Sequence, residues 1–180
     1  MQLPAGQQVT EYLASELGSE VKHEYVGGMV YAMSGARIRH NRIAQAINGA
    51  LFVRLRGRRC ESFNSDMKVR IQLPTHQRFY YPYAMVVCRS NGEKDSFQDE
   101  PRVLVEFLSR RTRRLDLGEK REGHLSLSSL GVYLMVEQEE PRILVDRRAD
   151  QGFQREVYEG LEAERPLAEI YERITFGPEP

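Results

Sequence analysis

The spacing of apolar positions changes period along this chain, and each change predicts an element. Near the N-terminus Val9, Leu13 and Leu17 recur at helical intervals in VTEYLASEL. This predicts a short helix with Thr10 as N-cap and Gly18 as its stop. HEYVGGMVY, residues 23–31, predicts a hairpin, because two β-prone runs flank Gly27-Gly28 and glycine supplies positive φ at a tight turn. Helical spacing returns over residues 40–55, where Ile43, Ile47, Ala50, Leu51 and Leu55 share a face. From Cys60 the period becomes two. Met67, Val69, Ile71 and Leu73 alternate with Lys68, Arg70 and Gln72, the pattern of a strand with one face in water.

Two later runs do not alternate at all. Residues 84–88 (AMVVC) and 103–108 (VLVEFL) are short, apolar and rich in valine, which predicts strands buried on both faces. A strand starts at Phe79–Tyr81, and Pro82 marks a strand boundary. Residues 89–101 are polar and rich in breakers, a surface loop. A helix follows over 112–125, weakened by Gly118 and Gly123 at about 1 kcal/mol each relative to alanine. Residues 132–137 and 143–146 predict two more strands around the turn Glu139-Glu140-Pro141, and 153–158 an edge strand. Residues 166–174 predict a short closing helix, and the final GPEP is expected to fray. Helices come first and mostly strands after. The order predicts an α+β fold, a mixed central β-sheet flanked by helices, in a single domain with its core at about residues 10–171.

Composition narrows the partners. Lys and Arg number 26, as do Asp and Glu, so a neutral chain has no global attraction to nucleic acid or membrane, and any such affinity must come from local patches. No apolar run approaches the roughly 20 residues that span a bilayer, and the start MQLPAGQQ lacks a signal-peptide pattern. Cys60 and Cys88 fit no metal-ligand spacing. Both are expected to be free thiols in a cytoplasmic protein.

Glu106 is the sharpest candidate. An ionised carboxylate within a strand core is costly unless a cation lies beside it or the strand face is wet. It reads either as a site residue or as a structural ion pair with an arginine. Lys120, on the helix, reads alone as a solvated i,i+4 partner of Asp116. Together an acid and a lysine suit phosphodiester cleavage, in which a divalent cation on carboxylate oxygens activates water and a lysine meets the phosphate. His40 at a helix start reads as a near-cap residue or a ligand-facing imidazole. Glu24, in the hairpin, is weak by itself. The arginines of 54–59 and 110–114 could hold phosphates or be solvated helix ends. Tyr80, Tyr81 and Tyr83 could stack on bases or fill a core.

The order of several short segments resembles the Uma-type restriction-endonuclease family, a branch of the PD-(D/E)XK nuclease superfamily. The segments are VKHEYVGGMVYAMSG (21–35), SDMKVRI (65–71), FYYPYAMVV (79–87), VLVEFLS (103–109), LDLGEK (115–120) and VYLMVEQ (132–138). The resemblance implies a restriction-endonuclease-like fold, a DNA substrate, Mg2+ or Mn2+ as cofactor and a homodimer. It implies Glu106 as a metal-binding acid, Lys120 as the catalytic lysine, His40 as the helix-opening histidine and Glu24 as the earlier acid. The family pattern also requires an acid directly after the strand proline, where this chain has Pro82-Tyr83. A tyrosine is neutral at pH 7 and a poor magnesium ligand. Gly27, Met29, Arg110, Arg111 and His124 also depart from the pattern near the site. The departures imply a copy that cuts weakly or not at all, unless another acid such as Asp66 or Glu24 replaces the aspartate. The alternative is a catalytically inactive nucleic-acid-binding or dimeric scaffold module.

Overall fold

The computed structural model describes residues 7–109, 113–160 and 165–176. Its helices are α1 (Val9–Leu17), α2 (Ile38–Leu55), α3 (Arg113–Leu115), α4 (Arg121–Leu125) and α5 (Arg165–Ile170), with a π-helical turn, Asp116–Lys120, joining α3 to α4. The strands are β1 (His23–Val26), β2 (Met29–Ala32), β3 (Glu61–Asn64), β4 (Lys68–Gln72), β5 (Gln77–Tyr80) and β6 (Ala84–Val87). They continue with β7 (Phe97–Gln98), β8 (Pro101–Leu108), β9 (Val132–Glu137), β10 (Arg142–Ala149) and β11 (Gly152–Glu159).

The α+β class holds, but the strands form two sheets rather than one. The first has the order β2-β1-β5-β4-β7, and the second the order β11-β10-β9-β8-β6-β3. Each is mixed: β4 and β7 run parallel, as do β8 and β9, while the other pairings are antiparallel. Four layers result, in the order α2, second sheet, first sheet, α1. Ile43 and Ile47 of α2 pack on Ala84, Val105 and Phe107, covering one face of the second sheet. The first sheet covers the other face, where Val69, Ile71 and Tyr80 meet Met85, Leu104 and Met135. On the far side of the first sheet, Tyr12 of α1 stacks against Tyr25 and Phe79.

Burial on both faces explains the unbroken apolar runs of β6 and β8. It also explains Lys68, expected in water but buried beneath the packed layers, where its ammonium donates to the Tyr81 hydroxyl at 3.1 Å. Desolvation there pulls the lysine below its ordinary pKa.

Several boundaries differ locally. The cap of α1 is Gln8, not Thr10: the Gln8 side chain accepts from the Glu11 backbone and Glu11 returns to the Gln8 N–H. The helix α2 begins two residues before His40. The loop 89–101 contains β7, whose pairing with β4 is reinforced by a two-pronged Arg70–Asp99 ion pair at 2.7 Å. The Gly27-Gly28 hairpin forms as expected, with φ of 55° and 98°. The C-terminal GPEP lies outside the described residues.

The two cysteines are not free thiols. Cys60 precedes β3 and Cys88 follows β6, and because Glu61 pairs with Val87 in that antiparallel ladder, the cysteines face each other with Cα atoms 4.0 Å apart and form a disulfide. Sequence separation hid a pairing that strand register imposes.

Candidate active site

Tyr81-Pro82-Tyr83 carries the chain from β5 in the first sheet to β6 in the second. Proline at the crossing costs no ladder hydrogen bond, since neither strand includes it. A cavity of about 350 Å³ opens beside this crossing. Glu24 and Tyr31 come from the β1–β2 hairpin, Glu106 and Phe107 from β8, and Leu115, Asp116, Glu119 and Lys120 from the helical segment; Tyr80 and Tyr83 complete the wall. Glu24, Tyr80, Tyr83, Glu106 and Lys120, all singled out in the sequence, therefore share one cavity.

Strand alternation places Glu106. In β8 it points to the same side as Leu104 and Leu108, toward the first sheet, while Val105 and Phe107 point toward α2. Lys120 arrives because the helix is not regular. Gly118 leaves helical geometry, with φ −102° and ψ −109°, and the π-turn around it turns Lys120 inward. Its ammonium lies 2.8 Å from Glu24 Oε1 and 3.1 Å from Glu106 Oε1. The solvated pair with Asp116 is thus corrected: both residues are buried, and Lys120 bridges two carboxylates from different sheets. It also stands 5.1 Å from the Tyr80 ring centroid. Burial by itself would lower the lysine pKa, but the two carboxylates outweigh it and hold the ammonium well above its usual range. Desolvation pushes Glu106 upward, and Lys120 pulls it partly back.

The surroundings of Glu106 are poorly satisfied. Its Oε1 has charge compensation from Lys120 but, among the described residues, no aligned hydrogen bond. His124 is fully buried with Nε2 3.3 Å from that oxygen, and among the described residues neither ring nitrogen has a hydrogen-bond partner. Burial lowers its pKa to about 3, so the ring is neutral. The Tyr133 hydroxyl is unpaired in the same way. Buried polar groups left so cost roughly 1–3 kcal/mol each, and such cost concentrates at functional sites.

Tyr83 follows the strand proline directly and puts an aromatic ring in the cavity wall. It stacks on Phe107, centroids 4.4 Å apart and planes 8° from parallel. Desolvation, and then the charge of Glu106, raise its pKa, so the hydroxyl is neutral. His40 does not line the cavity. It packs edge-on against both Tyr83 and Phe107 and contacts Gln138 Oε1 through Nδ1 at 3.2 Å. Burial lowers its pKa, so it is a neutral buttress behind the wall. Asp66 is exposed, pairs with Lys22 and does not line the cavity, so it adds no carboxylate there. Tyr80 and Tyr81 are core residues rather than stacking surfaces. Arg54 is engaged by Glu169 at 2.6 Å, and residues 110–112 lie outside the described residues. Asp116, Glu119 and Tyr31 are lining residues the sequence did not single out as such; the i−4 spacing of Asp116 from Lys120 is the one signal that could have found it.

These residues do not fit a divalent cation. Among the described residues no group of three or more His, Cys, Asp or Glu side chains is placed to hold an ion. Glu24 and Glu106 are already compensated by one ammonium, and a neutral phenol is a weak ligand for magnesium.

The helical segment is fastened to the second sheet next to Lys120. Arg121 Nε reaches Asp146 Oδ2 at 2.6 Å, and Arg155 grips the same fully buried carboxylate at 2.8 and 2.9 Å. Burial raises the Asp146 pKa, but the two arginines outweigh it and hold it below the usual range. Asp146→Asn is expected to cost about 2 kcal/mol at neutral pH, less than the roughly 3–5 kcal/mol of a fully buried broken pair, because both arginines keep some water. A depressed carboxylate contributes its stability above the unfolded pKa, so the difference from wild type should shrink as pH falls below 3.8 and through the lowered native value. Urea titrations at neutral and acid pH would measure it; a constant difference would exclude the ion pair as the cause.

Comparison with known proteins adds the relatives. A family model described as "Uma2: Putative restriction endonuclease" matches residues 9–175. An uncharacterized protein of Synechocystis is 33% identical over 143 residues, 79% of this chain and 74% of its own. A second from the same organism is 28% identical, over 71% of this chain and 73% of the relative. A crystal structure titled as a putative nuclease belonging to DUF820, from Anabaena variabilis, superposes with a TM-score of 0.63 over 81% of this chain and 80% of that one. At 16% identity it shows likeness of fold alone. Among the described residues no helix is long and apolar enough to cross a membrane.

Proposed function

The chain belongs to the Uma2 restriction-endonuclease family, and from that membership we propose a nuclease-like protein whose cleavage site is disabled at one position while its nucleic-acid contacts remain. The observation that carries this is Tyr83: its ring lies flat on Phe107 at the cavity wall, where the family pattern calls for a metal-binding carboxylate. The remaining acids, Glu24 and Glu106, are tied to Lys120, an arrangement that is stable without a cation and offers little to one. DNA is the substrate class that membership suggests.

Plasmid nicking with Mg2+ and with Mn2+ tests the reading. Wild type is expected to leave supercoiled plasmid intact. Tyr83→Asp is expected to nick, because it supplies a carboxylate for the metal that activates water, and Tyr83→Asp with Glu106→Ala to return to the wild-type level. Robust, Glu106-dependent nicking by wild type would overturn the disabled site. Silence from Tyr83→Asp in a folded state would show that more than one ligand is missing.

A further inference from the structure

We propose that the cavity receives an unpaired nucleotide of single-stranded DNA, its base stacked on Tyr31 at the mouth. The inference rests on the nucleic-acid reading above and narrows it to one form of substrate.

Depth is the first observation. Glu106 is 1% exposed and Lys120 6%, yet both line a cavity of about 350 Å³, in the range that takes one small molecule. A duplex is stiff over about 150 base pairs and keeps its bases stacked inside. It cannot send a nucleotide into a side-chain pocket without unpairing and unstacking, which costs a few kcal/mol. A single strand presents unpaired nucleotides already.

The rim is the second. Tyr31 lines the same cavity but is 53% exposed, on the edge strand β2 of the first sheet. A ring this open contributes little to the core. An accessible aromatic face beside a nucleotide-sized cavity is the arrangement by which proteins hold single strands, because every base has a π-face.

Charge is the third. Glu24 and Glu106 share one ammonium, so the interior disfavours a phosphate and suits the N–H edge of a base. Phosphates would stay outside, where Arg114 is exposed and adjacent in the chain to the lining residue Leu115. Binding of that kind weakens with salt.

The test is fluorescence anisotropy of the whole chain with a labelled single-stranded DNA oligonucleotide and with its annealed duplex, at low and raised salt. The single strand is expected to bind at least about tenfold tighter than the duplex. Tyr31→Ala is expected to weaken that binding roughly tenfold, and Tyr31→Phe to restore it, since the ring supplies the stacking. Unchanged unfolding midpoints would establish that both variants fold. Equal or tighter binding of the duplex would overturn the inference while leaving nucleic-acid binding in place. Single-strand binding indifferent to Tyr31→Ala would remove the stacking platform. Binding of neither form would overturn both readings.

Discussion

Lys120→Met is expected to destabilise the fold by about 3–5 kcal/mol at neutral pH, more than any other single substitution at the site. The lysine is the shared counter-ion of Glu24 and Glu106, and Glu106 is 1% exposed in the middle of β8. Removing one partner of a buried pair leaves an uncompensated charge, and that carries the full desolvation penalty. The variant therefore has a characteristic pH dependence. Without Lys120, desolvation acts alone on Glu106 and lifts its native pKa further above the unfolded value. A group with a raised native pKa contributes stability below its unfolded pKa and loses it as pH rises through the native one. Lys120→Met should thus be least impaired in mild acid and worst above neutrality. Adding Glu106→Gln should recover much of the loss, because a neutral amide needs no counter-ion. Urea unfolding of the three proteins across pH would read this directly. A Lys120→Met midpoint equal to wild type at pH 7 would mean that the ammonium is not what makes buried Glu106 tolerable.

Opening the Cys60–Cys88 disulfide is expected to cost about 3.5 kcal/mol. The bridge closes a loop of 28 residues, and the chain-entropy relation for that length gives a value of this size. What it secures is an edge: among the described strands β3 pairs only with β6, and the disulfide sits at the end of that pairing. Thermal unfolding with and without reductant, alongside Cys60→Ser with Cys88→Ser, should show the same loss by both routes. Alkylation that finds two free thiols in the native, unreduced protein would overturn the disulfide itself. Coincident melting curves would show that the closed loop adds nothing to the folded state.

Much of the architecture was legible because it depends on local pattern. Helical spacing located α1 and α2, the Gly27-Gly28 pair located the hairpin, and unbroken apolar runs located β6 and β8 as buried strands. The segments that carry the family resemblance also located Glu24, Glu106 and Lys120, which the structure brings together, and Tyr83 beside them. His40 was placed one layer too close, because a helix-start histidine cannot reveal from sequence which aromatic rings will stand in front of it.

What escaped the sequence was long-range. Lys68 looked solvated by alternation, since period two says which side a residue takes but not whether another layer covers that side. The cysteines looked unpaired until the register of β3 against β6 set them opposite each other. Asp116 and Lys120 looked like surface partners until Gly118 broke the helix and turned the lysine between two sheets. The sequence by itself determined the kinds of element and the family, because each is written in neighbouring residues. Only the tertiary structure decided which charges are buried together and how deep the cavity lies. Those depend on the packing of layers far apart in the chain, where burial turns an ordinary lysine and two glutamates into an interdependent set.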